Sequence, residues 1–323
     1  MKTKVLVVGG GAAGIMSTLR LVLNNQSCTL IPGSGKDKKK SRAFWVKKIE
    51  NMPGFHQYTK AIVEPHKETI EWIQNSEFRE NLTLLKNKSV ESIEKREDFF
   101  IATLNDGSKI ESEFVLLCTG MMDVQPEISG SISTIFPYAN LQLIDYCLRC
   151  DGHHVQGKET AVIGHTDGAA WTAIMLHERY TPPSMKILTH GMEPNFSEKC
   201  QALIEKYRFE VNTCEITDVV GEPAKGSLTG FTVDCKDFVG AEFAFVSLGV
   251  IVYNKLAKDL GVDLDPRGFV LSNNKGETSL ENLYVAGDLR AGIKKQVYTA
   301  WDSAVDSADD IDRKIREKKR NQK

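Results

Sequence analysis

The first apolar block of the chain, Val5-Leu6-Val7-Val8, has no polar interruption, so it reads as a strand buried on both faces. It runs directly into Gly9-Gly10-Gly11-Ala12-Ala13-Gly14, after which a helix is predicted from Ile15 to about Leu23. Ser27 to Ile31 reads as the second strand and ends in Pro32-Gly33. Further along, Glu113 to Leu117 is another buried strand, leading into Cys118-Thr119-Gly120, where the chain must turn sharply. Thr160-Ala161-Val162-Ile163-Gly164 repeats the strand and glycine turn, and Met185 to His190 follows as the next strand. Near the end, Leu283-Tyr284-Val285-Ala286 is a short strand that reaches Gly287-Asp288.

Strand, G-x-G-x-x-G and helix together form a dinucleotide-binding fingerprint, and each glycine has a physical task. Gly9 permits the tight turn, Gly11 lets backbone amides approach a pyrophosphate, and Gly14 permits close packing of helix on strand. Ala12 and Ala13 lie within this glycine run, and the N-terminus of the helix that follows faces the phosphate charge. The acidic residue that would bind a ribose after the second strand is missing, because Pro32-Gly33 stands there. Thr119-Gly120 marks a turn near a bound nucleotide, and the Asp288 carboxylate is placed to accept a hydrogen bond from a ribityl hydroxyl.

Between these motifs lies Cys147-Leu148-Arg149-Cys150-Asp151-Gly152. Two cysteines three positions apart in a helical turn can bring their sulfurs within bonding distance, giving a bridge that opens and closes. Only the thiolate attacks a disulfide, so the chemistry needs a lowered sulfur pKa in one step and a proton donor in another. Asp151 is the candidate donor. Two other readings stay open: inert core thiols, or half of a zinc site with His153 and His154 nearby. Adjacent histidines rarely both reach one metal, which counts against zinc, and no metal site is expected.

The 323 residues amount to two ordinary domains, with 41% hydrophobic residues for a sizeable core. A formal charge of −2, with both signs mixed, leaves no footprint for nucleic acid or an anionic membrane, and neither partner is expected. Seven cysteines without a secretory leader argue against a structural disulfide framework and for a cytoplasmic location. Cys28, Cys118, Cys200, Cys214 and Cys235 are accordingly expected to be unpaired packing residues.

Taken in order, Gly9 to Gly14, Ile49-Glu50-Asn51-Met52-Pro53-Gly54, Cys118-Thr119-Gly120, Cys147 to Gly152, Ala286-Gly287-Asp288 and Lys295-Gln296-Val297 resemble the low-molecular-weight thioredoxin reductases. The resemblance to these two-dinucleotide-binding-domain flavoproteins covers nearly the whole chain. It implies an α/β fold of two Rossmann-like three-layer domains, the second inserted into a discontinuous FAD domain. The motif order sets that domain at 1–122 and 241–323, with 123–240 as an NADPH-binding-like domain carrying the cysteines. In that family a Thr-Gly often replaces the missing acidic residue, much as Pro32 and Gly33 do here. Carried over, the resemblance puts Gly33, Asn51, Gly287, Asp288, Lys295, Gln296 and Val297 around FAD and Val90 near its adenine. It makes Cys150 the sulfur nearer the flavin and Cys147 the one that attacks a thioredoxin-like partner, with Asp151 handling the proton. A homodimer is also implied.

The second glycine turn departs from that family. His165-Thr166-Asp167-Gly168-Ala169 puts side chains where a pyrophosphate needs bare backbone, and Asp167 would repel it unless turned away. After the next strand, Gly191-Met192-Glu193-Pro194 supplies no arginine for a 2′-phosphate, and His190 reads as an ordinary strand-end residue. A donor other than NADPH is therefore expected. The resemblance then points to ferredoxin-dependent flavin thioredoxin reductases and deeply rooted thioredoxin reductases. Dithiol oxidases of small natural products share the cysteine pair but usually carry histidine after the second cysteine, so Asp151 favours the reductase. An NADPH-dependent reductase with unusual cofactor contacts is the remaining alternative.

Lys36 to Lys40 reads as a solvated basic loop, with docking of an acidic donor such as ferredoxin as the alternative. Arg313 to Lys323 reads as a frayed helix end. Tyr298 and Trp301, and likewise Phe44 and Trp45, are aromatic candidates for stacking on a flavin, against the plainer expectation of core packing.

Overall fold

The computed structural model describes residues 1–38, 42, 47–60, 62–235 and 237–322. Its contacts divide the chain into two α/β units: Met1–Phe44, Ile62–Met122 and Val252–Lys323 in the first, Trp45–Ala61 and Asp123–Ile251 in the second.

In the first unit the parallel core comprises β1 (Lys2–Val8), β2 (Cys28–Ile31), β3 (Leu82–Leu84), β6 (Lys109–Leu117) and β17 (Leu283–Val285). β3, β2, β1 and β6 lie in that order, with β17 beside β6, and every pair is parallel. A meander of β4 (Val90–Lys95) and β5 (Phe100–Leu104) pairs antiparallel with the N-terminal half of β6. Strand alternation fills both faces. Val5 and Val7 pack with Leu30, Leu116 and the helix residues Ala300, Ala304 and Ile311. Leu6 and Val8 pack on the other face with Ile31, Val115, Leu117 and Val285. This burial on both sides is why β1 has no polar interruption.

The first helix, Ala12–Leu23, lies beside the C-terminal helix Val297–Asn321 on one face of the sheet. The C-terminal helix is pinned by the buried Tyr284 hydroxyl, which donates to Asp310 Oδ2 at 2.6 Å. The helix continues to Asn321, where Arg313 pairs with Asp310 and Glu317, and Lys318 with Glu113. Lys36 lies in a single helical turn, Gly35–Lys38, rather than a loop, and Lys39 and Lys40 fall outside the described residues.

The chain leaves the first unit along β7 (Met121–Asp123) and returns along β16 (Val250–Val252). The second unit holds β8 (Ile144–Asp145), β9 (Thr160–Ile163), β10 (Met185–Leu188), β11 (Glu210–Asn212) and β15 (Phe243–Val246). They form a parallel sheet in the order β11-β10-β9-β15-β8. On one face the helices Asp167–Tyr180 and Glu198–Tyr207 cover Val162, Ile187 and Phe245. On the other, the antiparallel sheet of β12 (Ile216–Glu222), β13 (Ser227–Val233) and β14 (Phe238–Gly240) packs Phe231 and Val239 against Ile163 and Leu188. β15 sits between β9 and β8, so the stretch after Gly240 belongs to this sheet rather than to the first unit. Segment 45–61, expected with the first domain, also clusters with the second unit.

Candidate functional sites

In the first unit the glycine turn is shaped by close backbone approach. Gly9 has φ +113°, and a Cβ there would lie 2.3 Å from the Cys118 carbonyl oxygen. A Cβ on Gly14 would sit 1.8 Å from the Gly9 carbonyl oxygen. A Cβ on Gly10 would lie 2.6 Å from Pro32 Cβ, which places Pro32-Gly33 beside the turn, with Gly33 at φ +97°. At Gly11, by contrast, an added Cβ meets nothing within 4 Å. The helix that begins there has no side-chain cap and no acidic residue in its first turn, so its amide end is suited to an anion. These residues therefore fit the pyrophosphate of a dinucleotide.

Thr119 Oγ1 donates to the Tyr253 carbonyl at 2.7 Å, fixing the turn at Gly120, whose φ is +71°. Gly287 has φ +72° and donates its amide to Ser303 Oγ at 3.0 Å, so Asp288 follows from a rigid turn. Lys295 lies over the Phe269 ring at 3.9 Å and donates to the Arg290 carbonyl at 2.6 Å. Burial lowers its pKa to about 8, against the pull of Asp288. Gln296 caps the C-terminal helix just before Val297. Val90, at the start of β4, is half-buried against the same core cluster as Leu85. Tyr298 is 39% exposed rather than packed in the core, whereas Trp301 is half-buried. Phe44 and Trp45 lie outside the described residues.

In the second unit Cys147 and Cys150 are joined, with their Cα atoms 5.2 Å apart. Cys147 caps the short helix Leu148–Asp151, and its Sγ accepts a hydrogen bond from the Cys150 amide at 3.2 Å. That donor would favour a thiolate at Cys147 once the bridge opens. Asp151 is 6% exposed, and burial of a carboxyl favours its protonated form.

Around Asp151 the fold assembles groups that the motif did not single out. Asp145, 5% exposed at the end of β8, has Oδ2 2.8 Å from His154 Nδ1. His154 Nε2 lies 2.9 Å from Glu50 Oε2, and His153 Nε2 reaches the same oxygen at 2.7 Å. Asp145, Asp151 and His154 carry polar atoms within 4.8 Å of one another. Both histidines thus converge on one carboxylate, a geometry that adjacency in sequence did not suggest. Asn51 follows Glu50 in segment 45–61, which clusters with the second unit.

Both ring nitrogens of His154 face carboxyl oxygens, and where those carboxyls are ionised both nitrogens must carry protons. Burial opposes that charge, but the hydrogen bonds with Asp145 and Glu50 outweigh it and raise the His154 pKa to about 9. Burial holds Asp145 above the usual carboxyl range despite His154. Glu50 falls below its usual value because hydrogen bonds from His154 and His153 overcome burial. Since the His154 pKa is raised on folding, its stabilisation is complete below about pH 6.5 and is lost as pH climbs through about 9. The melting temperature should therefore fall across that window, and His154→Gln should flatten the fall. An identical slope in the variant would remove His154 as its source.

The second glycine turn has a different character. Gly164 (φ +156°) packs against the Ser247 carbonyl oxygen, where a Cβ would come to 2.4 Å, much as Gly9 packs on Cys118. The positions that correspond to Gly11 and Ala12 are Thr166 and Asp167. Asp167 Oδ1 accepts from the Ser197 amide at 2.6 Å, which holds it below its ordinary pKa at the first turn of its helix. Thr166 bridges Asn195, whose amide donates to the His165 carbonyl at 2.7 Å. His190 is a staple: Nδ1 accepts from the Ile216 amide at 3.0 Å, and Nε2 lies 3.2 Å from the Glu127 carbonyl.

One cysteine expectation is overturned. Cys214 and Cys235 form a second disulfide, with Cα atoms 5.9 Å apart, because the β12–β13 hairpin brings residues 21 apart in sequence together. Cys28, Cys118 and Cys200 are free and buried. Burial raises the Cys28 and Cys118 thiols to about 12, so both are poor nucleophiles. Among the described residues, no helix is long and apolar enough to cross a membrane.

Comparison with known proteins supplies a context. The sequence profile of a family described as pyridine nucleotide-disulphide oxidoreductase matches residues 3–308. A thioredoxin reductase of Mycoplasma genitalium is 27% identical over 93% of this chain and 91% of its own length. One from Treponema pallidum is 24% identical over 92% of each. The crystal structure of thioredoxin reductase from Streptococcus pyogenes superimposes with a TM-score of 0.83 at 18% identity, covering 98% of this chain and 99% of that one. At that identity the likeness establishes the shared two-domain α/β fold.

Proposed function

The chain belongs to the pyridine nucleotide-disulphide oxidoreductase family, and from that premise we propose that it is an FAD-dependent disulfide reductase acting through Cys147 and Cys150 on a thioredoxin-like protein. The observation that carries this reading is the closed Cys147–Cys150 pair beside the buried Asp151, in a chain that also holds an open, uncapped glycine turn. Gly9, Gly11, Ala12, Ala13 and Gly14 would hold the pyrophosphate, with Gly33, Asn51, Val90, Thr119, Gly120, Gly287, Asp288, Lys295, Gln296 and Val297 as the further contacts. Bound FAD supplies a two-electron carrier.

The protein's own residues handle sulfur and protons. Cys147 attacks the partner disulfide, helped by the Cys150 amide that donates to its sulfur. Cys150 then attacks Cys147 and frees the reduced partner. Asp151 gives and takes the proton at the leaving sulfur, with polar atoms of Asp145 and His154 within 4.8 Å of its own and His154 bonded on to Glu50.

For the electron donor, the second glycine turn favours something other than NADPH, with reduced ferredoxin as the candidate. Thr166 places a side chain, and Asp167 a fixed negative charge, where a pyrophosphate would need neither. No arginine follows β10 in Gly191-Met192-Glu193-Pro194. The relatives named above are thioredoxin reductases, which supports the partner class. A homodimer completes the proposal. Anaerobic mixing of the oxidised protein with NADPH, NADH and reduced ferredoxin in turn tests the donor through flavin absorbance. Ferredoxin is expected to bleach the flavin within the turnover time and NADPH to do so far more slowly. Rapid bleaching by NADPH would replace this reading with that of an NADPH-dependent reductase having unusual contacts.

The histidine pair three and four residues after Cys150 favours one second reading, an oxygen-dependent oxidase of small-molecule dithiols. Stoichiometric peroxide during dithiol turnover without a reductant would establish it.

A further inference from the structure

A second disulfide in a protein of this family invites the question of whether it is a staple or a second site of the same chemistry. We propose that Cys214–Cys235 is a thiol–disulfide exchange site that opens to a small protein dithiol through attack on Cys235. The proposal rests on three observations.

The first is access. Cys235 is exposed in the turn after β13, whereas Cys214 is half-buried against the cluster that includes Ile216 and Val219. An incoming thiolate can therefore approach the Cys235 sulfur and displace Cys214 inward.

The second is that the fold holds the two cysteines together without the S–S bond. Ile216 pairs with Val233 in the ladder, the Asp234 amide donates to the Glu215 carbonyl at 2.9 Å, and the Glu215 amide donates to Asp234 Oδ1 at 2.9 Å. The Cys214 amide donates in turn to Asn212 Oδ1 at 3.0 Å. Reduction leaves these bonds in place, so the thiols stay opposed and can close again. A bond whose ends are already held is suited to reversible use.

The third is the polar neighbour. An Asp234 carboxylate oxygen lies within 4.8 Å of both sulfurs, and Asp237 Oδ2 lies 3.8 Å from Cys235 Sγ. Negative charge there disfavours a thiolate, so the opened pair is held as neutral thiols and closes faster as pH rises.

The exchange balances as follows. A thiolate of the incoming dithiol bonds to Cys235 Sγ, the Cys235–Cys214 bond breaks, and Cys214 leaves as a thiolate and takes a proton. The partner's second thiol then attacks the mixed disulfide and releases Cys235, which is protonated. The Cys214–Cys235 pair gains two electrons and two protons, and the partner becomes a disulfide.

The test uses the full chain carrying Cys147→Ser and Cys150→Ser, so that only this pair remains and the outcome is independent of the function proposed for the other. Reduced thioredoxin is added, and the Cys214 and Cys235 peptides are followed by alkylation and mass spectrometry. Two thiols should appear in the native protein and close again with oxidised thioredoxin or diamide. A thioredoxin lacking its resolving cysteine should be trapped on Cys235. Should that variant fold poorly, the same peptides report the pair separately in the wild-type protein. The proposal is overturned if the bond resists thioredoxin until the protein is unfolded, if the trapped adduct sits on Cys214, or if the purified protein holds two thiols that no oxidant joins.

Discussion

Cys150→Ser should abolish turnover of a thioredoxin-like disulfide, with a loss on the order of a thousandfold or more, while leaving a covalent trace that Cys147→Ser does not. The reason lies in the two half-reactions. In Cys150→Ser the remaining thiol is Cys147, at the cap of the short helix, where the backbone amide of residue 150 can still donate to its sulfur. It remains able to attack the partner, but no second sulfur of the pair carries the exchange forward, and only the partner's own second cysteine could reverse it. A non-reducing gel of the variant mixed with a thioredoxin that lacks its resolving cysteine, its remaining thiol activated as a mixed disulfide with thionitrobenzoate, should show a band at the summed mass. Cys147→Ser lacks the attacking sulfur and should show none. The free thiols elsewhere are poor substitutes, because burial holds Cys28 and Cys118 near 12 and raises Cys200 as well. Full activity in either variant would remove the mechanism, and trapping on Cys147→Ser alone would exchange the roles of the two sulfurs.

The parts of the fold that could be read in advance are those with strong local signals. β1 and the Gly9–Gly14 turn are legible because a strand buried on both faces has no alternative pattern and the glycines answer to close contacts. The N-terminal half of β6 was not read, because Lys109 to Ser112 is only alternately buried and is held by pairing with β5. The site was legible only where its residues are sequence neighbours. Cys147, Cys150 and Asp151 form one motif, but Glu50 reaches His154 across 104 positions, and nothing local signals that approach. His153 and His154 were visible as residues, yet their convergence on one oxygen depends on how segment 45–61 meets the second unit's chain. Asp145 is the one signal that was there to use, since a carboxylate on a buried strand needs a partner. The pairing of Cys214 with Cys235 has no signature along the chain, because the β12–β13 hairpin brings together cysteines 21 residues apart.

Gly14→Ala and Gly11→Ala should separate the fold from its ligand. The two substitutions add the same methyl group to the same turn, but the surroundings differ. At Gly14 the new carbon would sit 1.8 Å from the Gly9 carbonyl oxygen, and neither a Cβ nor a backbone oxygen can rotate away on its own. The helix would have to lift from β1, which disturbs the packing of Val5, Val7 and Ala13 in one cluster. Destabilisation of about 3 kcal/mol is expected, seen as a lower melting temperature even in protein stripped of flavin. At Gly11 the methyl meets nothing within 4 Å and the backbone is already extended at φ −78°, so the apoprotein should melt within about 0.5 kcal/mol of wild type. That empty space is where a pyrophosphate would approach the uncapped helix end, so Gly11→Ala should purify with less FAD and take it up more weakly. The signature is therefore crossed: Gly14→Ala fails in the absence of ligand, and Gly11→Ala fails only in its presence. Apo-protein melting and FAD titration of both variants check it. Normal FAD uptake by Gly11→Ala would mean that the open face of this turn is not where the dinucleotide lies.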